Sequence, residues 1–131
     1  MIERVENDLL SYGNEMTNKD TPYDCGLGKY CNLDTDYDFI GKSALLKQKK
    51  VGFEKDIFKI QSDFKSENKQ VFFNNLTVFK EDVKIGRATS IVWSPKNSKY
   101  VGFLIAPKNI INNLNDYYIL DKVNFDLLEI T

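Results

Sequence analysis

Histidine is absent from the 131 residues, and that absence excludes more chemistry than any other feature of the chain. No Ser-His-Asp or Cys-His nucleophile can be assembled, no imidazole can serve as general base, and no His-ligated zinc or haem site can form. Cysteine is nearly as scarce. Cys25 and Cys31 are the only two; they lack the Cys-x-x-Cys spacing and are too few for a disulfide scaffold, so they read as reduced, structural thiols of a cytoplasmic protein. Arginine stands only at positions 4 and 87, the other basic residues being lysine. Both arginines draw attention, because the guanidinium fork is the better bidentate partner for a carboxylate. No apolar run approaches the ~20 residues of a membrane-spanning helix, and no basic start leads into an apolar stretch, so neither a span nor a signal peptide is expected. Charge of neither sign dominates: 18 basic and 19 acidic residues leave a net charge of −1, which gives no reason to expect nucleic acid or an acidic membrane as partner.

What is present reads as a soluble globular chain, 42% hydrophobic and 28% charged, of a length that suits one domain with a small appendage. Two textures divide it. Residues 1–53 are rich in turn signals and acids; residues 54–131 read as short strands. In the first region, Thr21-Pro22 biases the backbone toward an extended conformation, and Gly26 and Gly28 flank Leu27. Ile40 to Lys50 is a predicted short helix, with Asp38 near its start, lysines at its end and Gly52 to terminate it. In the second region, Ile57 to Gln61 alternates as a strand. Val71-Phe72-Phe73 and Leu76 to Phe79 flank Asn74-Asn75, a hairpin-turn candidate. Lys84 to Trp93 is rich in β-branched residues, with Gly86 marking a bulge or bend. Ser94 to Asn97 is a turn, Lys99 to Ile105 a strand stopped by Pro107, and Tyr117–Leu120 with Val123–Ile130 an antiparallel pair around Asp121-Lys122. The expectation is a mainly β (α+β overall) fold: an antiparallel six-stranded barrel with an N-terminal extended segment and one short helix.

Several blocks then resemble a known family. They are Arg4-Val5-Glu6, Leu10-Ser11-Tyr12-Gly13-Asn14-Glu15, Thr21-Pro22-Tyr23-Asp24-Cys25-Gly26-Leu27-Gly28, Asp38-Phe39-Ile40-Gly41-Lys42-Ser43-Ala44-Leu45, and Ile85-Gly86-Arg87-Ala88-Thr89-Ser90 with Ser94-Pro95 beyond. In order and spacing they are similar to the glycine-cleavage T-protein family, the aminomethyltransferases. That family includes the folate portions of sarcosine and dimethylglycine dehydrogenases and a dimethylsulfoniopropionate demethylase branch. The resemblance covers essentially the whole chain but only the last third of a full-length member. It implies that residues 1–53 are the tail of the folate-binding body and residues 54–131 the C-terminal β-barrel. It implies one-carbon transfer to tetrahydrofolate as the family's activity. It also places the catalytic aspartate and the pterin-holding glutamate ahead of Met1, so no catalytic residue is assigned and no transferase activity is expected of the chain alone. The usual Pro-Phe pair near the family's C-terminus is replaced by Leu127-Leu128-Glu129-Ile130.

The resemblance makes Arg4, Glu6, Tyr12 and Trp93 the cofactor-binding candidates, each with a structural alternative. Arg4 and Glu6 would line the wall of the folate site, or sit on one face of a strand in an ion pair. Tyr12 would stack on a ligand ring, or pack in the core. Trp93 would cover a cleft at a strand end, or act as a barrel lid. Asp34, Asp36 and Asp38 mimic the start of a calcium loop, but Phe39 and Leu45 stand where the glycine and glutamate belong, and no metal site is expected. Gly26-Leu27-Gly28 and Gly41-Lys42-Ser43 lack the remainder of a phosphate loop. Lys47, Lys49 and Lys50 read as a solvated helix end, or as a patch for the folate tail or a carrier protein. As partners, the expectation is a separate N-terminal folate-binding polypeptide or a self-dimer; the alternative function is a stand-alone binding or assembly module that complements such a polypeptide.

Overall fold

The computed structural model describes residues 1–63, 72–80, 82–110, 117–119 and 123–127. Among the described residues, two α-helices, two single 3-10 turns and six strands follow one another: α1 (Ile2–Glu6), a turn at Gly28–Tyr30, α2 (Lys42–Val51), β1 (Lys55–Ser62), β2 (Leu76–Lys80), β3 (Val83–Ser94), β4 (Lys99–Pro107), a turn at Lys108–Ile110, β5 (Tyr117–Ile119) and β6 (Val123–Leu127). The fold is mainly β and antiparallel. β1, β4, β3 and β2 form the principal sheet, with β4 central between β1 and β3. β5 pairs with β2, and β6 with β5. β6 also meets β1, through Ile60↔Leu127 and Gln61↔Asp126.

Burial explains why this sheet is stable. β4 is hydrophobic along both faces. Tyr100, Leu104 and Ala106 join Ile60, Val78, Ile85, Ala88 and Ile91 in one cluster. Val101 and Phe103 join Val5, Cys25, Ile57 and Val92 in a second, against which Leu10, Met16 and Leu27 pack. Alternate residues of a strand point to opposite faces, so the first cluster lies on one side of β4 and the second on the other. The N-terminal segment therefore covers the sheet's other face. Each fully buried Val, Ile, Leu or Phe contributes about 1.5–3 kcal/mol from removing apolar surface from water.

Two bulges bend β3. Val78 pairs with Gly86 but Phe79 with Lys84, leaving Ile85 extra; the bulge or bend expected at Gly86 is there. Further along, Thr89 pairs with Phe103 and Val92 with Val101, so Ser90 and Ile91 both oppose Gly102. Ser90 takes a left-handed φ of 55°. Gly102 is required by the close approach: a Cβ there would stand 2.8 Å from Ile91 Cγ1 and 3.1 Å from the Thr89 carbonyl.

Three expectations are corrected. The N-terminal segment is not extended at its start, since Ile2–Glu6 is helical. The amide of Asn7 donates to the Glu3 carbonyl at 3.1 Å, its side-chain nitrogen donates to the same oxygen at 2.7 Å, and Leu9 N donates to the Arg4 carbonyl at 2.9 Å. The turn thus satisfies its own C-terminal carbonyls while burying Val5. Asp38 does not cap α2: the position before the helix is Gly41, and the Asp38 carboxylate accepts from the next residue's amide at 3.0 Å instead. Asn74-Asn75 is not a hairpin turn. Phe73 pairs with Ile91 and Leu76 with Ala88, so the chain on both sides of the asparagines runs along the same neighbour, β3. The α2 helix itself, β3, β4 and the turn between them fall within a few residues of expectation. Val71, Leu120, the Asp121-Lys122 turn and residues 128–130 lie outside the described residues.

Candidate functional site: a polar clasp and an open groove

The N-terminal segment is fastened to β3 by a polar clasp. The Arg4 guanidinium donates to the Leu9 carbonyl at 2.7 Å, to Glu15 Oε2 at 2.9 Å and to Ser90 Oγ at 2.7 Å, with its charged end 5.9 Å from the centre of the Phe103 ring. Glu15 is fully buried, and its carboxylate accepts from the Ser11 amide at 2.6 Å and from the Ser90 hydroxyl. The β3 bulge is what turns Ser90 toward this pair. Four residues further along β3, Ser94 donates to Glu6 and accepts the Asn97 amide at 3.1 Å, and Lys59 pairs with Asp8 at 2.6 Å. At the other end of the clasp, Arg87 donates to the Asn14 carbonyl at 2.8 Å and to Asn75 Oδ1 at 2.9 Å. Asn74 donates to Asn14 Oδ1 at 3.0 Å and accepts from the Thr89 hydroxyl and the Ser90 amide. Both arginines are thus spent joining the first region to β3.

A second feature is an open groove of about 1100 Å³ where the end of α2 meets the starts of β1 and β3 and the end of β4. Its walls carry Phe53, Ile85, Ile105 and Pro107, with Asp24, Gln48, Lys55 and Lys108 as polar groups. Tyr23 stacks on Phe53 at 5.7 Å between ring centres, and Lys108 Nζ lies 4.2 Å from the centre of the Phe53 ring. Gly28 allows this wall, because the Tyr23 ring occupies the place where a Cβ would stand. Gln48 Oε1 is shielded from water and has no hydrogen-bond partner among the described residues. Beneath the groove, the Lys55 ammonium hydrogen-bonds Asp20 and holds that carboxyl below its usual range. Burial pushes the Cys25 thiol up, and the neighbouring Asp20 and Asp24 charges add to the effect, so Cys25 is a protonated, unreactive thiol. Burial also raises the carboxyl of Asp56, against the opposing pull of the Ile57 amide and Lys108.

The four candidates are distributed unevenly over these features. Arg4 and Glu6 both reach β3, through Ser90 and Ser94. They do so from a helix and not from a strand, and Arg4 pairs with Glu15. Tyr12 is exposed in the loop bridged by Tyr12 and Met16. Trp93 packs against the first cluster, edge-on to Tyr100 at 5.4 Å. Asp34, Asp36 and Asp38 do not come together: among the described residues no group of three or more His, Cys, Asp or Glu side chains gathers. Glu15 and Ser90, the centre of the clasp, were not singled out by sequence. Their only signal is their place inside the Ser11-Tyr12-Gly13-Asn14-Glu15 and Arg87-Ala88-Thr89-Ser90 blocks. No helix among the described residues is long and apolar enough to cross a membrane.

No family model matches the chain. Over 51 residues, 39% of the chain and 14% of the relative, it is 65% identical to dimethylsulfoniopropionate demethylase DmdA of Ruegeria pomeroyi. It is 35% identical over 102 residues, 78% of the chain and 26% of the relative, to an aminomethyltransferase of Clostridium botulinum strain Langeland. It is 31% identical over 104 residues, 79% of the chain and 27% of the relative, to the aminomethyltransferase of Prochlorococcus marinus. In fold it is similar to the glycine cleavage system aminomethyltransferase T of Bartonella henselae, with a TM-score of 0.79 and 21% identity over 97% of this chain and 36% of that one. The chain thus spans about a quarter of the length of the aminomethyltransferases it matches. The motif blocks, the likeness along the sequence and the shared fold agree: this chain belongs to the glycine cleavage T-protein (aminomethyltransferase) family, with a stretch similar to its DmdA branch.

Proposed function

We propose that this chain is the C-terminal part of a cytoplasmic, tetrahydrofolate-dependent one-carbon transferase, and that it is inactive alone. The observation that carries the reading is the 35% identity to an aminomethyltransferase over 78% of the chain. On this reading the six strands act as a barrel closed by the short β6–β1 seam, and residues 1–53 are the tail of the folate-binding body. The chain's own residues do the work of a cap. The Arg4–Glu15–Ser90 clasp fixes the first region on β3, so that the cap presents one rigid surface to the centre where donor and folate meet. In such an enzyme the rate comes from holding the two reactants in register and controlling one proton. The side chains present do not make a pterin site by themselves. Arg4 and Glu6 are spent on internal partners, Tyr12 faces solvent and Trp93 leans on the core. A calorimetric titration of tetrahydrofolate into the chain tests this: no heat of binding is expected at micromolar ligand, and micromolar affinity would overturn the assignment of the pterin site to the rest of the enzyme.

A second reading is that the chain is a stand-alone assembly module complementing a separate N-terminal folate-binding polypeptide. Residues 30–51 favour it, because no residue of α2 is fully buried and Tyr37 and Ile40 stand in solvent.

A further inference from the structure

We draw no further inference here: the strongest candidate, the open groove where the end of α2 meets the starts of β1 and β3 and the end of β4, mixes Asp24 and Glu54 with Lys55 and Lys108 along its lining, and nothing in the structure shows which ligand or partner fills it.

Discussion

Replacing Glu15 with glutamine is the sharpest test of how the two regions are held together. The carboxylate is inaccessible to water and accepts three hydrogen bonds, from the Ser11 amide, Arg4 and the Ser90 hydroxyl. Glutamine keeps the shape but removes the charge and turns one acceptor into a donor. Two bonds lose their charge assistance at about 1 kcal/mol each, and the rearrangement against Ser90 adds about 1 kcal/mol, giving about 3 kcal/mol. This is the lower end of the ~3–5 kcal/mol for breaking a buried pair, because Arg4 retains the Leu9 carbonyl and Ser90. At ~2.1 cal/mol/K per residue the unfolding entropy of a 131-residue chain is about 0.28 kcal/mol/K, so the melting temperature falls by about 11 °C. Ser90→Ala removes one hydroxyl from the same network and costs about 1–1.5 kcal/mol. The double variant costs less than the sum, because the two share a bond. Thermal and urea melts followed by circular dichroism read all three. The loss is expected to be the same in low salt and in ~1 M salt, since the pair is shielded from counterions. A loss below about 1 kcal/mol, or one that salt halves, would refute a buried clasp and leave an ordinary surface ion pair.

Gly102→Ala is expected to destabilise the chain by about 2 kcal/mol, because the new methyl meets Ile91 Cγ1 at 2.8 Å across the β3 bulge; an unchanged urea midpoint would show that the bulge yields freely. Asp56→Asn is expected to raise stability at neutral pH. Burial lifts the folded-state pKa of Asp56 above its ordinary 3.8, so the folded chain holds that proton more tightly than the unfolded one and loses stability as pH rises through that window. The variant's advantage in urea midpoint is therefore full at neutral pH and vanishes below pH 3.8; an advantage equal at both extremes would assign it to packing instead.

The sheet was legible because its signals are local. β3 and β4 each carry a run of β-branched and aromatic residues bounded by Pro95 and Pro107, and the strands observed differ from expectation by one or two residues at their ends. The α2 helix was legible for the same reason, its ends being set by Gly41 and Gly52. The clasp was not, because its bonds span 11 residues from Arg4 to Glu15, 75 from Glu15 to Ser90 and 86 from Arg4 to Ser90. No periodicity relates such positions. The error at the N-terminus has the same root. Arg4-Val5-Glu6 alternates as a strand does, and two residues either side of a valine at strand spacing suggest a shared face. One helical turn makes a different use of them: Val5 goes under the turn into the second cluster, while Arg4 and Glu6 reach Ser90 and Ser94, four residues apart on β3. On a regular strand those two serines would share a face and lie about 13 Å apart. The bulge at Ser90 and Ile91 breaks that regularity. Gly102, the residue that makes room for the bulge, thereby also sets where Arg4 and Glu15 can bind. A substitution there should weaken the clasp as well as the strand pairing, so the costs of Gly102→Ala and Glu15→Gln should not add.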